Sequence, residues 1–298
     1  MKKLLNIDGG GIKVYLSLLI LKYIENKTGK NIKDIFDFYA GVSASSIILS
    51  GILTNYSLDD LIKRLKNINN NMFYRSYYYS IISLFGLINS KYPEYHINTE
   101  LKSIFKDLKI KDMDKPYIIL CYDLNTSKPI HYSSYNKTLN NELLWKIIRS
   151  STAAPIFFPP FQINEKLLID GGIITNDLSE LIYSHALNYY DNENYIQVSI
   201  GTGFYSPKIN SKPSGLLSWT GPIFENIFNA HSIYELNTMK QLCKLDNIKH
   251  FFRIDILLEQ YIQLDDYNAF SKMDIIFEKW LNENTTYLDN ICDVLLNN

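Results

Sequence analysis

Residues 6–13 read NIDGGGIK. Three consecutive glycines separate a short apolar run, KLLNI at residues 3–7, from a stretch of helical length that ends near Lys27–Gly29. Glycine gives up more backbone freedom on folding than any other residue, roughly 0.5–1 kcal/mol relative to Ala within a regular element. A strand, a glycine turn and a helix in that order aim backbone N–H groups at one point. The helix N-terminus adds partial positive charge there, which favours an anion. A resident anion means phosphate; a transient one means the oxyanion of acyl transfer. The phosphate-loop spacing GxxxxGK[ST] is absent. The dinucleotide pattern is only half met, because Val14 stands where Gly or Ala is needed. On this stretch alone, a tight turn without a ligand stays equally open.

A second turn has the same layout. FDFYAGV, residues 36–42, reads as a strand, and SASSIILSGILTN, residues 43–55, as a small-residue helix. The junction GVSAS, residues 41–45, matches a nucleophile elbow, in which a strained turn presents a serine hydroxyl. Gly41 and Ser45 are both small, as the crowding of such a turn requires, although the usual pattern ends in Gly rather than Ser. Ser43 acting only as a helix N-cap is the competing reading. A third strand, LLIDGG at residues 167–172, ends on Asp170. If its strand runs parallel to the other two, Asp170 faces the same sheet edge, where ligands of open α/β sheets gather. Otherwise Asp170 is a turn residue. Alternating strands and helices favour a layered α/β fold with parallel strands.

With these motifs in order, the chain resembles the patatin-like phospholipases. That family's hallmarks are an Asp-Gly-Gly-Gly turn, a G-x-S-x-G elbow and a later D-G-[GA]. Here they are Asp8 to Gly11, Gly41 to Ser45 and Asp170 to Gly172. STAAPIFFPPF (151–161) and SIGTG (199–203) resemble two further family segments. The resemblance implies a three-layer α/β/α fold with a mainly parallel central sheet and a helical C-terminal portion. It implies Ser43 as nucleophile, Asp170 as its dyad partner, and the backbone of Gly9, Gly10 and Gly11 as oxyanion hole. The activity implied is a lipid acyl hydrolase of phospholipase A or lysophospholipase type, acting on acyl esters through an acyl-serine intermediate and without a cofactor. A general carboxylesterase or thioesterase, and a catalytically silent binding module, are the alternatives. Family members usually have Gly after the basic residue at Lys13; here it is Val14.

The rest of the chain bounds these readings. Its 298 residues, 46% hydrophobic, suffice for one large core, and a net charge of −1 argues against nucleic acid as partner. Three cysteines lie far apart and read as reduced structural thiols. The apolar run after Met1 stops at Asp8, too soon for a signal peptide, and no stretch spans a membrane. A cytoplasmic protein, peripheral at membranes at most, is expected. Residues 1–204 are expected to form the catalytic core and 205–298 a mainly helical extension packed on it. Ser57 is expected to cap an amphipathic helix with Leu58, Leu61 and Leu65 on one face. A polar break follows at residues 67–71. MFYRSYYYSIISLFGLINSKY, residues 72–92, is rich in aromatics, Phe85 included, and fits either core packing or a surface for transient membrane contact. Arg149, before the small-residue segment, is a candidate contact for a lipid phosphate. A Ser-His-Asp triad is the rival catalytic arrangement. None of the histidines at 96, 131, 185, 231 and 250 sits at an evident strand end beside a small-residue turn. No His/Cys/Asp set has metal-ligand spacing.

Overall fold

The structure, a computed structural model, describes residues 1–67, 72–83, 88–205, 230–245 and 247–298. Residues 68–71 of the expected polar break, and Phe85, lie outside the described residues. Eight strands form one sheet: β1 (Lys2–Ile7), β2 (Phe38–Val42), β3 (Tyr117–Asp123), β4 (Lys128–Ser133), β5 (Phe161–Ile163), β6 (Lys166–Asp170), β7 (Tyr195–Ile200) and β8 (Ile248–Ile254). The spatial order is β5-β6-β3-β2-β1-β7-β8, with β4 also paired to β3. β1, β2, β3, β7 and β8 run parallel. β2, β3 and β7 are buried almost throughout, as central parallel strands are, whereas β8 at the sheet edge is only partly buried.

Successive side chains of each strand point to opposite faces. Leu5 and Ile7 of β1 join one core, with Tyr39 of β2, while Leu4 joins the other with Phe38, Ala40 and Val42. The first core is closed by helices α1 (Val14–Thr28), α2 (Ile32–Ile35), α3 (Ala44–Leu53), α4 (Leu58–Lys66), α6 (Glu94–Phe105) and α7 (Leu144–Ser151). The short α5 (Tyr77–Ile82) lies in the aromatic stretch. On the opposite face lie α8 (Ser179–Tyr189) and α9, residues 230–242. This is the expected three-layer α/β/α arrangement.

Local signals act as anticipated. α1 ends where Gly29 takes up left-handed φ +67°. The Ser57 side chain accepts from the Asp60 N–H at 3.1 Å, capping α4. Val14 has ordinary helical φ (−55°) and is buried, so nothing at that position requires glycine. The aromatic stretch divides. Phe73 packs on Tyr92 and Phe158, whereas Tyr77 and Tyr78 are exposed to solvent.

The C-terminal portion ends in a 28-residue helix, α10 (Phe270–Asn297). It lies along α1: the Tyr15 and Phe270 rings meet edge-on at 5.1 Å, and the Tyr23 hydroxyl donates to Asp289 at 2.6 Å. The same portion also supplies β8, which extends the sheet beside β7. These C-terminal residues thus meet the rest of the chain at β7, through β8, and at α1, through α10.

One expectation is corrected. β6 does not run parallel to β1 and β2; it pairs antiparallel with β3. β4 occupies one edge of β3 along residues 118–123. β2 takes the other edge as far as Leu120, and β6 takes that same edge from Cys121 onward. β2 and β6 thus approach head to head. Val42 is paired with Leu120 and Asp170 with Cys121, adjacent rows of one strand.

Candidate active site

The meeting point of β2 and β6 is where the candidate residues gather. Ser43 follows Val42 directly and has φ +56°, ψ −134°, a conformation that non-glycine residues rarely adopt. Its side chain makes no capping bond to α3. Its hydroxyl instead acts on the Asp170 carboxylate, whose pKa it holds down, and both residues line one cavity. Without a capping bond, Ser43 does not serve as a side-chain N-cap of α3.

Asp170 is 4% exposed. Burial pushes its pKa up to about 7, against the opposing hydrogen bonds from Ser43 and the Gly172 N–H. The Gly172 N–H bond, at 2.8 Å to Oδ1, also closes a local turn. Asp170 is therefore a turn residue that also lines the cavity with Ser43.

The elbow is held from three sides. The Ser43 N–H donates to Ser151 Oγ at 2.9 Å, and Ser151 Oγ donates to Leu120 O at 2.7 Å. The Asp170 N–H donates to Ala153 O at 3.1 Å. The end of α7 and the residue two beyond it thus hold Ser43 and Asp170, and Ser151 also joins the elbow to β3. Ser45, the departure from the usual elbow pattern, is fully buried. Its hydroxyl accepts from Val42 N–H at 2.9 Å and lies 2.8 Å from both Ile7 O and Val42 O. It links the end of β1 to the elbow, which a glycine would not. Replacing Ser45 with Ala is expected to lower stability by about 1–3 kcal/mol, the cost of depriving a buried polar group of its partner. An unchanged urea midpoint would show that the link contributes nothing.

The glycine loop lies against the elbow. A Cβ placed on Gly9 would fall 3.2 Å from Ser43 Cβ. The Gly9 N–H itself donates to Asn176 O at 3.2 Å. Among the described residues, the N–H groups of Gly10 and Gly11 have no backbone partner. The loop's outer side is pinned by Thr202 of the SIGTG turn, whose hydroxyl donates to Gly9 O at 3.1 Å.

Ser43, Asp170 and the three glycines open on one cavity of about 180 Å³. Its lining is largely apolar, with Ile48, Leu61, Leu65, Ile97, Phe105 and Phe158, and includes the Arg64–Glu100 pair of α4 and α6. Arg149 is not among the residues that line it. That side chain is fully buried, donating to Asn98 Oδ1 at 2.9 Å and Pro159 O at 3.0 Å, and packing over Phe161. Burial lowers its pKa to about 10. The structure thus brings the other candidates together and leaves Arg149 outside, bracing the 155–161 segment against α6. None of the five histidines lines the cavity. His131 and His185 contact each other instead, 3.2 Å apart, with Tyr135 on His185. Among the described residues no three His, Cys, Asp or Glu side chains are grouped to hold a metal ion. No described helix is long and apolar enough to cross a membrane.

Sequence reasoning missed the polar layer beneath the loop. Asp8 is bound by Arg253 of β8, through Nη1 to Oδ1 at 2.8 Å and Nη2 to Oδ2 at 2.6 Å. The signal lay in FFRIDIL, residues 251–257, where Arg253 and Asp255 interrupt an otherwise apolar run.

Fold and site together define an α/β protein with a serine and a buried carboxylate facing an apolar cavity. The chain belongs to the patatin-like phospholipase family, which it matches over residues 5–181. At the level of the family this is a lipid acyl hydrolase fold. It is 25% identical to patatin-like protein 4 of Arabidopsis thaliana, over 85% of this chain and 75% of that one. It is 27% identical to a probable inactive patatin-3-Kuras 1 of Solanum tuberosum, over 85% and 78% of the two chains. It is also similar to VipD from Legionella pneumophila, with TM-score 0.45 and 12% identity over 93% of this chain and 67% of that one.

Proposed function

We propose that the protein is a serine-dependent lipid acyl hydrolase that cleaves fatty-acyl esters of glycerophospholipids or lysophospholipids. The observation that carries this reading is the strained Ser43, lining one cavity with buried Asp170 and the glycine loop. A serine hydroxyl is a weak nucleophile and needs a base within hydrogen-bond reach. In this reading Ser43 Oγ attacks the ester carbonyl and its proton passes to Asp170. The N–H groups of Gly10 and Gly11 receive the negative charge that develops on the carbonyl oxygen. Collapse expels the alcohol, which takes the proton from Asp170 and leaves an acyl-Ser43. Water, deprotonated by Asp170, then attacks the acyl carbonyl; the ester bond to Ser43 Oγ breaks, Asp170 returns the proton to that oxygen, and the fatty acid leaves. The apolar wall formed with α4 and α6 accommodates the acyl chain.

A carboxylate of ordinary pKa is too weak a base for this step, and burial supplies the correction. A pKa near the working pH balances the ionised fraction against the pull on the proton. The test is reaction with a fluorophosphonate, whose phosphorus takes the place of the ester carbonyl. The expected result is one added phosphonyl group, located by mass spectrometry on Ser43 and absent from Ser43→Ala. Release of fatty acid from a panel of phospholipids and lysophospholipids then identifies the substrate. An unlabelled Ser43 in folded protein would favour the silent binding module, and hydrolysis confined to short-chain esters the general esterase.

A further inference from the structure

The guanidinium of Arg253 is the hub of a buried polar network that reaches three separate parts of the site. Its side chain is 10% exposed. The fork on Asp8 holds the residue that opens the glycine loop. Nη1 also lies 3.1 Å from Asp177 Oδ2 and donates to Ser199 Oγ at 2.7 Å. Nη2 lies 2.8 Å from Asp255 Oδ2, and Asp255 Oδ1 accepts the Gly203 N–H at 3.1 Å. Asp177 closes the segment that begins at Asp170, and its neighbour Asn176 accepts the Gly9 N–H. One planar group thus joins the start of the glycine loop, the end of the segment bearing the base, and the turn that carries Thr202.

We propose that Arg253 is a positioning residue, setting where the Gly10 and Gly11 N–H groups lie relative to Ser43 and Asp170. This rests on the hydrolase reading above. It assigns part of the site to β8, beyond the residues 5–181 that match the family. Arginine suits the task because its rigid fork engages a carboxylate through two parallel bonds while further N–H groups reach other acceptors; lysine offers a point charge on a flexible stem. The three carboxylates of Asp177, Asp8 and Asp255 outweigh the opposing effect of burial and hold the guanidinium protonated.

The test is Arg253→Lys, which keeps the charge and removes the fork. Hydrolysis of a soluble p-nitrophenyl acyl ester is followed together with hydrogen exchange of the peptide spanning residues 8–13. A misplaced oxyanion donor costs roughly 10²-fold in rate. The expected result is a fall of about that size in kcat with KM within about twofold. The pH midpoint set by Asp170 should not move, and exchange should quicken at 8–13 but not in α10. Should Arg253→Lys fail to fold, Asp8→Asn, which keeps the volume and one acceptor, is expected to give the same pattern. Unchanged kcat and exchange in a folded variant, beside an active wild type, would overturn the proposal and leave the hydrolase reading standing. A wild type that neither hydrolyses esters nor takes up a fluorophosphonate would overturn both.

Discussion

Asp170→Asn is expected to lower ester turnover by roughly 10²–10⁴, the usual worth of a general base, and at the same time to make the protein more stable at pH 8. The loss follows from removing the group that accepts the Ser43 proton. The gain follows from linkage. The Asp170 pKa is raised from 3.8 to about 7 in the folded protein. Between those values the folded state keeps a proton that the unfolded chain releases. Stability therefore falls as pH rises toward 7, and above it the protein bears the full cost of a buried charge. At about 1.4 kcal/mol per pH unit, that cost is roughly 4 kcal/mol at most. Asparagine has no charge to bury and can still accept the Gly172 N–H. Its advantage in denaturation midpoint should be largest at pH 8 and should shrink toward pH 5. Turnover in the unsubstituted protein should rise with pH to a plateau above about 7, since only the ionised carboxylate takes the proton. Equal turnover in the two proteins, or a stability difference that ignores pH, would remove Asp170 from the role of base.

Gly10→Ala is expected to lower kcat by roughly 10²–10³, the cost of losing one oxyanion donor. The reason is crowding rather than backbone strain. Gly10 has φ 173°, an extended value open to any residue. Its Cβ, however, would fall 2.0 Å from Thr202 Oγ1 and 2.6 Å from Thr202 Cβ. Either the loop or the Thr202 turn must move, and the bond from Thr202 to Gly9 O goes with it. Because the clash is with a side chain, it can be relieved. Thr202→Gly in the same molecule should recover part of the lost rate, even though it cannot restore that bond. A folded Gly10→Ala protein with near-normal kcat would show that these amides do not serve the reaction. The contrast is Gly11, at φ +57° with Leu264 O only 2.3 Å from its absent Cβ. There the backbone itself blocks a side chain and no partner substitution could help.

Much of this site was legible from local chemistry. Ser43 was marked by small neighbours on a strand-to-helix turn, Asp170 by its place at the end of an apolar strand, and the loop by three adjacent glycines. Each is a property of a few consecutive residues, so a single chain displays it. Arg149 illustrates the opposite case. An arginine near a site motif suggests an anion ligand, but only packing reveals that α6 and the 155–161 segment enclose it. Ser45 likewise departs from the usual pattern on paper, whereas in place its hydroxyl bonds the end of β1 and the elbow. Arg253 stands about 245 residues from Asp8 in the chain, and nothing local joins them.

The order of elements, the strained serine turn, the glycine loop and the carboxylate at a strand end were determined by the sequence itself, because each follows from short-range sterics and from the periodicity of apolar residues. Strand direction was not. Whether β6 lies parallel or antiparallel depends on which edge it finds free, and β4 already covers one edge of β3 where β2 stops at Leu120. The open stretch from Cys121 receives β6 from the opposite direction and halts it at Asp170, one row from the end of β2. Hydrogen-bond pairing between distant strands made that choice, and with it the contact between Ser43 and Asp170.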